Sequence, residues 1–240
     1  MTRVVIIAAF PDELKPLVRG WKRELRGGVD LWSWQFDEGV WIAACAGAGV
    51  EAATRAFSEA GMDGAIDLAV STGWAGALNE EFAPGRTYRV SGVIDARTGE
   101  RFPGAAVQGE CWLVTSPKVA DEVEKRRLAA AYQAGLVDME AAAIARLAAM
   151  RGIPFVCFKG VSDGFTHKLP DFNRFILSNG QFQCARFVLF AILRPWHWPA
   201  LMRMGENSRR AAQSIAGSLL DFLDEQGHIR KRNGYPNLKR

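Results

Sequence analysis

Three carboxylates stand where this chain changes from one kind of structure to another. Glu13 follows the apolar run Val4–Ala9 in the stretch Phe10-Pro11-Asp12-Glu13. Glu140 opens an alanine-rich run, and Asp163 closes an apolar one at Ser162-Asp163-Gly164. A carboxyl at such a junction can hold a ligand or exchange a proton with it. Each also has a purely structural reading. Glu13 and Glu140 suit the start of a helix, where an acid interacts well with the macrodipole, and Asp163 suits a turn before glycine. Residues near at hand do not choose between these readings.

The elements that must position these groups are legible from periodicity. The stretch Leu136 to Gly164 reads as a helix followed by a strand. Ile144, Leu147 and Ala148 recur at helical spacing after Glu140, and Gly152 with Pro154 ends the helix. Phe155 to Val161 carries no charge except Lys159, as in a strand buried on both faces of a parallel sheet. In open α/β sheets, ligands bind beyond the carboxyl ends of strands, which is where Asp163 falls. Val4–Ala9 predicts a buried first strand, and Trp32–Phe36 with Val40–Cys45 predicts a hairpin turning at Asp37-Glu38-Gly39.

Ala46-Gly47-Ala48-Gly49 then leads into a helix from Glu51. Such a glycine turn lets backbone approach a ligand, although the third glycine of a dinucleotide fingerprint is missing. Ile66–Val70 predicts a strand, and Ser71 to Leu78 a small-residue turn. Thr87–Ile94 and Cys111–Thr115 predict further strands, the latter followed by the polar loop Ser116-Pro117-Lys118. Helix is expected over Phe182–Leu193 and again from about Leu201 to Leu223, with Arg194-Pro195-Trp196-His197-Trp198-Pro199 breaking the two. That corner is expected to be a rigid joint packed on the sheet; its tryptophans would also suit a pocket, a partner or a peripheral membrane contact. The pattern predicts one α/β layered domain over residues 1–225 and a flexible basic tail over 226–240.

Composition narrows the class. At 240 residues, 49% hydrophobic and 23% charged, the chain is ordinary for a globular protein. Much of the net charge of +4 comes from the tail, and no basic stripe with a nucleic-acid module is present, so no nucleic-acid partner is expected. Cys45, Cys111, Cys157 and Cys184 form no CxxC pair, and His167, His197 and His228 have no ligand spacing; no metal and no cofactor are expected. The first apolar run is too short for a signal-peptide core, and a reducing cytoplasm is the expected compartment.

Taken together in this order, the stretches Ile6–Glu13, Ala46–Gly49, Ser71-Thr72-Gly73-Trp74-Ala75-Gly76, Val137–Ala143 and Val161-Ser162-Asp163 resemble the nucleoside phosphorylase/nucleosidase superfamily. The likeness is greatest to the branch of methylthioadenosine/S-adenosylhomocysteine nucleosidases and hopanoid-associated nucleosidases. It implies a three-layer α/β/α sandwich around a mixed, partly barrel-like sheet, assembled as a homodimer or higher oligomer. It also implies cleavage of a ribosyl–purine bond. There, Asp163 would match the acid that protonates the departing base and Ser162 the residue orienting it. Glu140 would match the glutamate binding the ribose hydroxyls, and Met139 the apolar residue against the sugar. Ala48, Gly49, Trp74, Gly76 and Val119 fall at the remaining substrate-binding positions. For Asp163 to donate a proton near neutrality, burial or a neighbouring acid must keep it protonated.

Glu13 matches the water-activating glutamate of the hydrolytic branch. A phosphorylase needs cations around phosphate, and Asp67 to Ala77 holds no arginine. Hydrolysis of a 5′-modified adenosine is the resulting expectation. Adenosyl-hopane is one candidate substrate, because the C-terminal segment Leu193–Arg210 resembles the hopanoid-associated branch. The alternatives are a phosphate-dependent phosphorylase and a nucleoside-binding or sensor domain with little activity. The chain departs from the family pattern at Trp74, where serine is usual, and at Lys159, where arginine is usual. Ala48 is smaller than the usual residue and would widen the 5′ side, and Ser116–Val119 lacks the usual stacking aromatic.

Overall fold

The structure, a computed structural model, describes residues 2–36, 39–105, 109–167 and 170–225. Asp37 and Glu38 of the expected hairpin turn, Leu169 and the basic tail 226–240 lie outside the described residues.

The strands are β1 (Thr2–Ala8), β2 (Lys22–Arg26), β3 (Val29–Phe36), β4 (Gly39–Cys45), β5 (Leu68–Ser71), β6 (Trp74–Ala77), β7 (Thr87–Asp95), β8 (Arg101–Pro103), β9 (Cys111–Thr115), β10 (Leu136–Asp138) and β11 (Phe155–Asp163). The helices are α1 (Pro11–Leu14), α2 (Val50–Ala60), α3 (Glu122–Tyr132), α4 (Ala141–Met150), α5 (Cys184–Ile192) and α6 (Trp198–Glu225). All the strands belong to one sheet in the order β2-β3-β4-β1-β5-β11-β6-β10-β9-β7-β8, and β11 pairs with β7 as well. That extra pairing closes β11, β6, β10, β9 and β7 into a five-stranded ring. The ring mixes parallel pairs (β11–β6, β10–β9, β7–β9) with antiparallel ones (β6–β10, β7–β11).

Helices cover both faces of the sheet. On β1, Val5 and Ile7 face the core that holds α2 and α4, while Val4, Ile6 and Ala8 face the core that holds α1 and α6. β11 divides in the same way, with Phe155 and Cys157 on one side and Val156 and Phe158 on the other. Both strands are therefore continuous apolar runs rather than alternating ones, as burial on two faces requires. A third core packs α3, through Leu128, against Leu78, Ile94, Val114 and Val137.

Several elements depart from the sequence expectation. Trp74–Ala77 is a strand flanked by β10 and β11, where the small residues read as a turn. Leu136–Asp138 is a strand ahead of the helix. At three residues it is too short to carry a period, as is β8. β2 is charged and exposed, and α3 buries only Lys125 and Leu128, so neither shows an apolar face. The corner at Arg194–Pro199 does not pack on the sheet. α5 has no buried residue, and Trp196 and Trp198 face outward.

Candidate active site

The carboxyl ends of β1, β4 and β5 lie level, with Ala8 paired to Cys45 and Ile7 to Ser71. The segments that follow them, together with the end of β10, meet where β6 begins.

Glu13 belongs to the short helix α1, but its carboxylate reaches beyond it. The backbone N–H groups of Ala9 and Phe10 donate to Oε2, at 2.7 and 2.9 Å, and that of Trp74 donates to Oε1 at 2.7 Å. The helix-start reading accounts for the first pair and not for the last. Burial raises the Glu13 pKa, opposed by these hydrogen bonds and by the nearby Lys159 charge. Gly73, at φ +117°, makes room for the carboxylate, since a Cβ there would lie 2.8 Å from Glu13 Oε1. The buried Thr72 hydroxyl has no hydrogen-bond partner among the described residues.

Glu140 sits at the start of α4 without capping it. The first N–H groups of α4 are satisfied by others: Ala141 N donates to Asp138 Oδ2 (2.9 Å) and Ala142 N to Thr115 Oγ1 (3.0 Å). The Glu140 carboxylate is therefore free to accept from Gly49 N at 2.7 Å and Met139 N at 3.2 Å, which ties the glycine turn to β10. Burial first and the Asp138 charge second push its pKa up to about 8, against the lowering effect of Lys159. Lys159 is fully buried, pairs with Asp138 at 2.8 Å and donates to Thr72 O at 3.0 Å. Burial alone would lower its pKa, but Asp138, Cys157 and Glu140 raise it above the ordinary lysine value.

Asp163 ends β11 just after a register shift between Val161 and Asp163, a bulge that re-aims the strand end. The Ser162 hydroxyl donates to Asp163 Oδ1 at 2.6 Å. The other oxygen, Oδ2, is ion-paired to Lys125, which reaches from α3 and also donates to Gly164 O at 2.8 Å. The sequence reading asked of Asp163 either burial or a neighbouring acid; the side chain is buried, and the charged neighbour present is a cation. Gly76 allows this approach, since a Cβ there would lie 3.1 Å from Lys125 Cε and 3.2 Å from Asp163 Oδ2.

A cavity of about 340 Å³ opens beside these groups. Its wall includes the expected Ala48, Gly49 and Met139, with Val50, Ile176 and Leu177 as apolar neighbours and Arg97, Lys118 and Asn173 as polar ones. Glu13, Trp74, Gly76, Val119, Glu140, Ser162 and Asp163 are not on that wall. Glu140 is joined to the wall through Gly49 and Met139, while Glu13 meets Trp74 and Asp163 lies against Gly76. The Trp74 side chain points elsewhere, its indole N–H donating to Ser208 O on α6 at 2.9 Å. Val119 is held through its backbone, which exchanges two hydrogen bonds with the Asn173 side chain.

Lys125, Asp138 and Asn173 were not singled out from sequence. Asp138 lies inside a quoted motif and could have been. Lys125 and Asn173 act across 38 and 54 positions and leave no local trace. Among the described residues, no cluster of histidine, cysteine and acid side chains could hold a metal ion.

Residues 100–189 match the family model described as "Phosphorylase superfamily". No curated protein matches the sequence. Among solved structures, a futalosine hydrolase mutant of Helicobacter pylori aligns at 15% identity over 94% of this chain and 100% of its own, with a TM-score of 0.70. The 5′-methylthioadenosine/S-adenosylhomocysteine nucleosidase of the same organism aligns at 15% identity over 94% and 99%, with a TM-score of 0.71. The 5′-methylthioadenosine nucleosidase of Arabidopsis thaliana aligns at 17% identity over 96% and 98%, also at 0.71. At these identities the likeness establishes the fold.

Proposed function

We propose that the protein is an N-glycosyl hydrolase that cleaves a purine nucleoside, a 5′-modified adenosine in the fullest form of the reading. The observation that carries it is the buried cluster of Glu13, Asp138, Asp163 and the proton-retaining Glu140, whose buried cations among the described residues are Lys125 and Lys159. Such a site favours a sugar that becomes cationic as the bond to the base breaks, because negative charge placed where positive charge develops lowers the barrier. Glu13 takes a proton from the attacking water. Glu140 accepts hydrogen bonds from the ribose hydroxyls, and these strengthen as the sugar gains positive charge. The base leaves with a proton supplied by the Lys125–Asp163 pair. One proton departs, and the pair is left as a neutral amine beside a carboxylate. Ser162 fixes the carboxylate, and Met139, Ala48 and Gly49 bound the sugar and its 5′ side.

The narrower substrate, adenosyl-hopane with release of adenine, is supported by the small Ala48 and by Val50, Ile176 and Leu177 along the same cavity. Rapid cleavage of methylthioadenosine with such a lipid left intact would refute it. Residues 1–225 as one domain, homo-oligomeric assembly and a cytoplasmic setting belong to the same reading. Phosphorolysis is the second reading, and the observation in its favour is the pair of cations on the cavity wall, Arg97 and Lys118. Product analysis on a panel of nucleosides, with and without phosphate, separates the two. Hydrolysis gives free base and ribose in either buffer. Absolute dependence on phosphate would establish the second reading, and no base release from any nucleoside would leave a binding domain.

A further inference from the structure

From Phe172 to Gly205 the chain contains four arginines and no aspartate or glutamate. The same segment holds most of the large apolar side chains that are exposed among the described residues. Leu189, Ile192, Leu193 and Trp196 are 59–68% exposed, and Val188, Trp198 and Met202 are exposed with them along α5, the corner after it and the start of α6. Scattered exposed leucines are ordinary; a contiguous set of this kind marks a contact surface. Arg186, Arg194 and Arg203 punctuate the set and make no ion pair among the described residues. Arg186 bonds to Gln183, Arg194 lies over the Phe190 ring and Arg203 bonds to Pro199 O.

Beneath this face runs a chain of rings. Phe10, beside Glu13, touches Phe182; Phe182 touches Phe187 and Phe175; Phe175 touches Phe190; and Phe190 stacks on His197, which meets Trp196. The rings brace α5 and the corner from behind, so the outward face is held open without sheet packing. Leu177, itself 41% exposed and in the same segment, also lines the cavity.

We propose that this face docks on a lipid bilayer bearing acidic headgroups. Its charge is of one sign along the whole segment, which suits an acidic surface. Tryptophan beside apolar side chains suits the boundary between headgroups and acyl chains. No helix among the described residues is long and apolar enough to cross a membrane, so contact is from one side. Docking does not depend on the nucleosidase reading.

The test is cosedimentation of the full-length protein with vesicles of phosphatidylcholine alone or mixed with phosphatidylglycerol. Binding is expected to the acidic vesicles, weakening as salt screens the arginines. Leu189→Glu with Ile192→Glu should lower partitioning by about a hundredfold, from the loss of two buried apolar side chains. Arg186→Gln with Arg203→Gln, both at exposed positions away from the core, should lower it by about tenfold or more. Failure of the wild type to bind acidic vesicles overturns the proposal. So does light scattering that shows the wild type as an oligomer and the double glutamate variant as a monomer, since a second copy of the chain would then cover this face.

Discussion

Lys125→Met tests the most unexpected contact in the site. The substitution keeps the buried length of the side chain and removes its charge. Asp163 would then retain the Ser162 hydroxyl on Oδ1 and lose the partner of Oδ2. Breaking a buried ion pair from one side costs about 3–5 kcal/mol.

The destabilisation should therefore be about 3–5 kcal/mol at pH 7. Urea unfolding of both proteins measures this directly. Adding Asp163→Asn to Lys125→Met should restore most of the loss, since no charge is then left behind. A difference below about 1 kcal/mol between Lys125→Met and the wild type would refute the pairing argument.

Glu140, held near 8 when folded, keeps a proton that the unfolded chain has released. Its contribution to stability is complete below the ordinary glutamate pKa of about 4.3 and is lost as pH rises through about 8. The melting temperature should thus fall from pH 5 to pH 9 and fall less steeply in Glu140→Gln; equal slopes would count against that burial. Gly73→Ala, at a left-handed φ and against the Glu13 carboxylate, should cost about 1–2 kcal/mol and displace Glu13. Its loss of nucleoside hydrolysis should approach that of Glu13→Gln, about 10²–10⁴-fold in turnover, while a Gly73→Ala enzyme of normal rate would remove Glu13 from the mechanism. Trp74→Phe deletes the bond to Ser208 O and should lower stability by about 1 kcal/mol in chemical denaturation, with activity retained because the backbone N–H on Glu13 remains.

The central strands were legible because burial on both faces writes an unbroken apolar run, as in β1 and β11. The turn at Gly47 and Gly49 and the stop at Gly152 were legible because positive φ at each demands glycine. β6 was not, because Trp74-Ala75-Gly76-Ala77 owes its extended form to β10 and β11 on either side rather than to its own residues. Glu13, Glu140 and Asp163 were visible as carboxylates at junctions, yet their partners were not. Whether Glu140 caps α4 is decided by Asp138 and Thr115 taking the helix N–H groups in its place. Whether Asp163 meets an acid or a cation is decided by the packing of α3, which presents Lys125 from a helix with little apolar pattern.

The ring closure has a consequence for how copies of this chain can meet. A sheet grows by adding strands at its margins; with β7 and β11 paired inside the ring, the marginal strands among the described residues are β2 and β8. β2 presents Lys22, Arg23 and Glu24 to solvent around the exposed Leu25, and β8 is three residues long and ends in Pro103, which has no N–H to donate. Both margins are poor templates for a further strand. Edge-to-edge fibre growth is thereby disfavoured, and self-association must proceed through helices and loops, whose surfaces can change without disturbing the register that holds the carboxylates in place.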